Sequence, residues 1–63
     1  MHLIMKTEFD NLRLNDDHEY EANKSGNKAV VKIWKGEALI AKKVTEKNSV
    51  RYYGCKQYKD YLS

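Results

Sequence analysis

The side chains in this sequence best able to ligate a metal or attack a substrate are His2, His18 and Cys55. They show no C-x-x-C or H-x₃-H spacing, and a structural zinc ion normally takes four protein ligands. Cys55 and His18 could pair as thiolate and base, but a nucleophile also needs an oriented base and an oxyanion hole. We therefore expect His18 at the edge of the core and Cys55 inside it as a small apolar side chain.

Carboxylates at Asp16, Asp17, Glu19 and Glu21 are the next candidates for catalysis. General-acid catalysis needs one carboxyl group in a dry pocket, and a chain of 63 residues has little room for such a pocket. The glycine turns lack the G-x-x-x-x-G-K-[ST] spacing of a phosphate-binding loop. The sequence therefore predicts a protein that is not an enzyme and that uses no metal and no cofactor.

The remaining chemistry is that of binding, and it centres on the single tryptophan, Trp34. Basic side chains contact phosphates, and an aromatic ring can stack on an exposed base. We predict a nucleic-acid or partner-binding surface on one face of a sheet, formed by Lys28, Lys32, Trp34, Lys43 and Arg51. In the alternative interpretation, the N-terminal segment folds over this face and buries Trp34 with Val30 and Leu39.

The distribution of charge favours an anionic partner. The net charge is +3, but residues 1–23 carry a balance of −4 and residues 24–63 a balance of +7. Such an asymmetry is typical of chains that bind anions. The other explanation is that the two parts neutralise each other across the fold.

The segment around Trp34 has the pattern of a β-meander. Turn residues at 24–27 and 35–36 bracket a β-branched run at 29–34, and a second apolar run follows at 38–44. With Lys35-Gly36 as a two-residue loop, Ile33 faces Ala38, and the apolar side chains segregate better than with a three-residue loop. The predicted apolar face then holds Ala29, Val31, Ile33, Ala38, Ile40 and Val44 with Lys42 as its one polar member, and the outer face holds Lys28, Val30, Lys32, Trp34, Glu37, Leu39, Ala41 and Lys43.

The same reasoning extends to the preceding segment. With Ser25-Gly26 as a two-residue loop, Tyr20 faces Val31 and Glu19 faces Lys32. The side chains that join the apolar face in this register are His18, Tyr20 and Ala22. Two turns chosen independently thus predict one consistent core face.

The C-terminal segment predicts a strand and then a helix. Residues 50–53 have the composition of a strand, and Gly54 disfavours a continuous helix. The side chains of Cys55, Tyr58, Tyr61 and Leu62 recur at helical spacing, so we predict a short C-terminal helix over the apolar face. A single helix over residues 49–62 is the alternative.

The N-terminal segment has two interpretations. Thr7 with Asp10 three residues later is a weak capping pattern, and Phe9 and Leu12 follow at helical spacing. Residues 2–5 could equally form an edge strand.

Length and cysteine usage limit the class of protein. A chain of 63 residues is one domain, and a single cysteine favours the reducing cytoplasm over secretion. The longest apolar run, at 38–41, is far shorter than the ~20 residues of a membrane-spanning helix. Because so small a chain buries little surface, we expect a homo-oligomer, with the unpaired strand edge or the outer face as the seam, to be one way of adding buried area.

The predicted fold is α+β: a small antiparallel β-meander of three to four strands with one short C-terminal helix packed on its apolar face. This layout is similar to that of integrase arm-type and AP2-type DNA-binding domains, in which a helix follows a three-stranded sheet. The first functional hypothesis is a non-catalytic nucleic-acid-binding module. The alternative is a small protein-binding regulator or inhibitor of the kind that phages and mobile elements encode.

Overall fold

The computed structural model describes residues 1–62 and shows a five-stranded antiparallel sheet with one α-helix. Along the chain the elements are β1 (His2–Leu3), α1 (Lys6–Arg13), β2 (Glu19–Ser25), β3 (Lys28–Lys35), β4 (Ala38–Glu46), β5 (Ser49–Gly54) and a 3₁₀ helix (Tyr58–Tyr61). The strand order is β1-β5-β4-β3-β2, so β2 to β5 form a meander and β1 adds a short strand beside β5. The α+β class and the antiparallel sheet are as predicted, but the predicted count of three to four strands is wrong.

The α-helix is N-terminal, and the predicted short C-terminal helix is a 3₁₀ turn that does pack against the core. Strand β5 continues through Gly54, and the chain after it forms only a single 3₁₀ turn. Tyr58 and Tyr61 are three residues apart, a spacing that suits a 3₁₀ helix as well as an α-helix. The fold therefore departs from the layout of a sheet followed by an α-helix. The N-terminal segment forms both of the elements considered for it, the edge strand β1 and the helix α1.

The core lies between α1 and the centre of the sheet. Its fully buried side chains are Phe9, Leu12, Ile33, Ile40 and Ala41. The Phe9 ring also contacts Tyr52, with 5.4 Å between ring centroids. Burial of a side chain such as leucine or phenylalanine contributes roughly 1.5–3 kcal/mol, so this small cluster supplies much of the stability of the domain.

The β2–β3 register differs from the predicted one by two residues. The loop is Gly26-Asn27, so Tyr20 pairs with Ile33 and Glu21 pairs with Lys32. Because side chains alternate with a period of two, a shift of two residues leaves every side chain on its predicted face. The predicted pairing partners are wrong, but the side chains of β2 and β3 lie on the faces predicted for them.

The β3–β4 register contains a bulge that the sequence pattern did not predict. Ile33 pairs with Ala41 while Trp34 pairs with Leu39, so Ile40 is an extra residue on β4. Ile40 and Ala41 are both fully buried, and a bulge allows two consecutive side chains to reach the same core. The bulge reverses the predicted faces of the residues that follow it on β4, including Ala41, Lys42, Lys43 and Val44.

Three two-residue turns connect β2 to β5, and each begins with a residue in the left-handed region. Gly26 has φ = 58°, Gly36 has φ = 60° and Lys47 has φ = 44°. A glycine at the first position is the usual choice for such hairpin turns. Lys47 therefore holds a conformation that costs a residue with a side chain roughly 1–2 kcal/mol.

Within residues 1–62, no helix combines the length and the apolar character that crossing a membrane requires.

Candidate functional site

The sheet has two faces of different character. Phe9 of α1 contacts Tyr52, and the 3₁₀ residue Tyr58 lies against Gly54, so both elements pack on one face, which we call the helix face. By strand alternation, the side chains of Trp34 and Tyr53 project from the other face. We call that second surface the open face.

Four basic side chains project from the open face. Register and alternation place Lys28 and Lys32 of β3, Lys42 of β4 and Arg51 of β5 there. Lys32 and Lys42 are directly paired across β3 and β4. Like charges placed opposite each other destabilise a sheet, so this pair is retained at some cost to the fold.

None of these cations lies within ion-pair distance of an acid in the described chain, although Glu46 faces Lys28 and Glu21 faces Lys32 across the strands. Within residues 1–62 the one ion pair joins Lys6 Nζ to Asp10 Oδ2 at 3.0 Å, on the exposed side of α1. The hydrogen bond and the charge of Asp10 raise the pKa of Lys6. Charge neutralisation within the fold, the alternative explanation of the charge asymmetry, therefore does not operate through ion pairs on the open face of the described chain.

Two aromatic rings accompany the cations. Trp34 of β3 is half-buried and pairs with Leu39 of β4. Tyr53 of β5 is also half-buried, and Lys42 Nζ lies 5.5 Å from the centroid of its ring. A cation this close to an aromatic face is attracted by the ring quadrupole. The open face thus combines rings and positive charges in one surface.

The centre of the open face is apolar and one margin is acidic. Val30 and Val44 are paired across β3 and β4, next to Arg51. Glu19 and Glu21 lie on the edge strand β2, opposite Trp34 and Lys32. Glu46 at the end of β4 also projects from this face, opposite Lys28. A negatively charged ligand is therefore favoured around Lys32, Lys42 and Arg51 and disfavoured over β2 and the end of β4.

The structure brings four of the five predicted site residues together and separates the fifth. Lys28, Lys32, Trp34 and Arg51 share the open face, whereas Lys43 lies on the helix face. Lys43 Nζ lies 5.9 Å from the centroid of the Tyr52 ring. The cause is the bulge at Ile40, which turns Lys42 instead of Lys43 to the open face.

Sequence reasoning missed Lys42 and Tyr53 as members of this surface. A signal for Lys42 was present, because it was the one polar residue on an otherwise apolar face in the predicted register. A charged residue that interrupts a core pattern indicates a register error or a bulge. Tyr53 was undetermined because the register of β5 depends on the turn at Lys47, which no glycine marks.

The candidate metal and nucleophile residues do not converge. Within residues 1–62 no three His, Cys, Asp or Glu side chains are placed to hold a metal ion. Cys55 is a half-buried free thiol that packs against the core, so it is less buried than predicted and it precedes the 3₁₀ helix instead of lying in an α-helix. His18 is half-buried, and its Nδ1 lies 2.7 Å from the backbone oxygen of Leu12, so Nδ1 carries the proton in that contact.

No protein-family model, curated protein or solved structure matches this chain.

Proposed function

We propose that this protein is a non-catalytic module that binds single-stranded nucleic acid on the open face. The observation that carries the proposal is the grouping of Lys28, Lys32, Lys42 and Arg51 with the rings of Trp34 and Tyr53 on a face that neither helix covers. Basic residues that track a phosphate backbone, combined with aromatic rings on which bases stack, characterise single-strand binding surfaces.

The pairing of Lys32 with Lys42 supports an anionic ligand. An anion between the two ammonium groups would convert their mutual repulsion into two attractions. The half-buried state of both side chains means that their stems lie along neighbouring apolar surface while the charged ends reach solvent. A phosphate group is the anion that a nucleic acid supplies at this point.

The aromatic rings add affinity that depends little on base sequence. Stacking of one base on an aromatic side chain contributes ~1–3 kcal/mol. Trp34 lies beside the acidic margin, and Tyr53 lies on the opposite side of the lysine pair. A strand crossing β3, β4 and β5 would therefore meet both rings as well as the cations.

The test is a titration of the protein with short single-stranded DNA and RNA at several salt concentrations, followed by the fluorescence of the single tryptophan. With four cations in contact, the logarithm of the binding constant should fall with the logarithm of salt concentration with a slope of about −3. Trp34 emission should change on binding, because the ring takes part in it. Absence of binding to any single strand at low salt would refute the proposal.

Adjacent lysines on β4 provide a matched control. Lys42→Gln removes a charge from the open face, and Lys43→Gln removes the same charge from the helix face. Lys42→Gln should weaken binding and reduce the salt slope by about 0.7, the contribution of one phosphate contact on a single strand. Lys43→Gln should leave both quantities unchanged, and an equal loss in the two variants would show that the open face is not the binding surface.

A protein-binding regulator or inhibitor is the second candidate function. The apolar pairs Val30–Val44 and Trp34–Leu39 on the open face favour it, because aromatic and aliphatic anchors dominate protein interfaces. Binding of a protein partner would survive moderate salt, be lost on Trp34→Ala and tolerate Lys42→Gln. Those three outcomes together would replace the nucleic-acid proposal.

A further inference from the structure

Strand β2 is an unpaired edge that is exposed along its whole length. All seven of its residues, Glu19–Ser25, are exposed to solvent, and the sheet ends at this strand. At the opposite edge of the sheet, the two-residue strand β1 pairs with the Tyr53–Gly54 end of β5, so that edge is partly covered. An exposed edge without proline or bulge is a template for pairing with another strand.

The backbone groups that β2 offers follow from its turn. Gly26-Asn27 is a two-residue loop, so Ser25 and Lys28 form a hydrogen-bonded pair that closes the hairpin. Hydrogen-bonded and non-bonded positions alternate along antiparallel strands. The backbone N–H and C=O groups of Tyr20, Ala22 and Lys24 therefore point away from β3, toward the free edge.

We propose that a second copy of this chain pairs with β2 in antiparallel orientation, with the two-fold axis at Ala22. Ala22 then faces the partner's Ala22, and Tyr20 faces the partner's Lys24. All of the outward N–H and C=O groups find partners in this register. The two five-stranded sheets become one continuous sheet.

The charges of β2 disfavour the register with the axis at Glu21, and the turn disfavours the register with the axis at Asn23, which would place Tyr20 opposite Gly26 of the turn. With the axis at Ala22, Glu21 faces the partner's Asn23 and Glu19 faces the partner's Ser25, so no like charges are opposed. Moving the axis to Glu21 would oppose two glutamates, which destabilises a sheet. The small methyl group of Ala22 also allows close approach at the axis.

The surface area of the chain supports a partner on some part of it. The solvent-accessible area is 4716 Å². A compact monomer of 7.4 kDa is expected to expose ~4,200 Å² from surface scaling. The exposed strand β2 contributes to this excess. A seven-residue edge is smaller than the roughly 800 Å² per partner of a standard interface, so we expect a dissociation constant in the micromolar range or above.

The first test measures molecular mass by sedimentation equilibrium from micromolar to millimolar concentration. We expect a monomer–dimer equilibrium in the native chain and a monomer in the Ala22→Pro variant, because proline removes an outward N–H that β3 does not use. Val50→Pro is the matched control: Val50 is 47% exposed, and its N–H points away from β4 at the opposite edge. It should leave the dimer intact. A monomer at millimolar concentration in the native chain, or a dimer that survives Ala22→Pro, would overturn the proposal.

The second test uses cross-linking and does not depend on the proline variant. In a Cys55→Ala background, Ala22→Cys should form a disulfide-linked dimer on mild oxidation, since paired Cα atoms lie about 5.5 Å apart. Tyr20→Cys places a thiol at another exposed position of the same strand, but in this register the two copies of that thiol are about 14 Å apart along the strands. It should not cross-link. Equal cross-linking of the two variants would refute the two-fold axis at Ala22.

Discussion

The hydroxyl of Tyr58 donates a hydrogen bond of 2.9 Å to Glu8 Oε2 and so ties the C-terminal 3₁₀ helix to the first turn of α1. The other oxygen of Glu8 accepts a hydrogen bond of 3.0 Å from the backbone N–H of Met5, the residue at the N-cap. The N–H of Met5 and then the Tyr58 hydroxyl lower the pKa of Glu8 below its ordinary value of 4.5. In turn, hydrogen bonding to Glu8 raises the pKa of Tyr58 above 10.0.

Tyr58→Phe should destabilise the protein at neutral pH, with a loss that disappears at both ends of the pH range. A lowered carboxyl pKa gives stability that is present above pH 4.5 and is lost as the pH falls through the folded-state value. A raised phenol pKa gives stability that is present below pH 10 and is lost as the pH rises through the folded-state value. Urea unfolding of both proteins at acid, neutral and alkaline pH measures the difference.

Tyr53→Phe is the control for this prediction. It makes the same substitution on the open face, where the Tyr53 ring packs under Lys42. A phenylalanine ring keeps that contact, so the stability should not change at any pH. A stability loss in Tyr58→Phe that stayed constant from acid to alkaline pH would show that Glu8 is not its cause.

Gly54→Ala should destabilise the protein by about 1–3 kcal/mol, the range for overpacking a filled core. A methyl group at this position would lie 2.8 Å from Tyr58 Cγ and 3.0 Å from Ile4 Cγ2. Denaturant unfolding measures the loss directly. In a Tyr58→Ala background the same substitution should cost less, because the 2.8 Å contact with the ring is gone, while Tyr58 Cβ and Ile4 Cγ2 remain at 3.0 Å. An equal cost in both backgrounds would show that the Tyr58 ring is not the obstruction.

Lys47→Gly should stabilise the protein by about 0.5–1 kcal/mol, because it relieves a left-handed backbone at the β4–β5 turn while adding some unfolded-state entropy. Lys47 is the one non-glycine residue with positive φ in the described chain, residues 1–62. Lys56→Gly is the control: this lysine also lies in an exposed turn, but with negative φ. It should give no gain, and a gain of equal size would point to the loss of charge rather than to backbone strain.

The hairpins were predictable because their signals are local. The glycines at 26 and 36 mark turns, and the β-branched run between them favours a strand. The β2–β3 loop lies one residue later in the chain than predicted, yet every side chain of the two strands lies on its predicted face. A hydrophobic pattern therefore specifies the face of the sheet on which each side chain lies, but it does not specify which residues are paired.

The bulge at Ile40 was not predictable because it depends on tertiary packing. The run Ala38-Leu39-Ile40-Ala41 is apolar throughout, so its alternation carries no information about which residue is extra. Phe9 and Leu12 of α1 determine that both Ile40 and Ala41 are buried. The sequence pattern also predicts the packed helix at the other end of the chain. Because of these two errors, the sequence predicts Lys43 in the candidate site, where the structure has Lys42.

Replacement of Lys42 by glutamate should have opposite effects on the stability of the fold and on the proposed binding of nucleic acid. The substitution turns the like-charged pair with Lys32 into an attractive pair, and cross-strand pairs of this kind contribute ~0.2–1 kcal/mol. Lys43→Glu is a close control, since each lysine lies near a tyrosine ring, at 5.5 Å and 5.9 Å, but Lys43 is paired with Val31.

At low salt, Lys42→Glu should be more stable than Lys43→Glu by about 0.5–1 kcal/mol, and the difference should shrink as salt screens the pair. Lys42→Glu should also lose binding to single-stranded nucleic acid, whereas Lys43→Glu should retain it. Equal stability of the two variants would mean that Lys32 and Lys42 do not repel each other in the free protein. The cost of holding two cations together would then no longer argue for an anionic ligand between them.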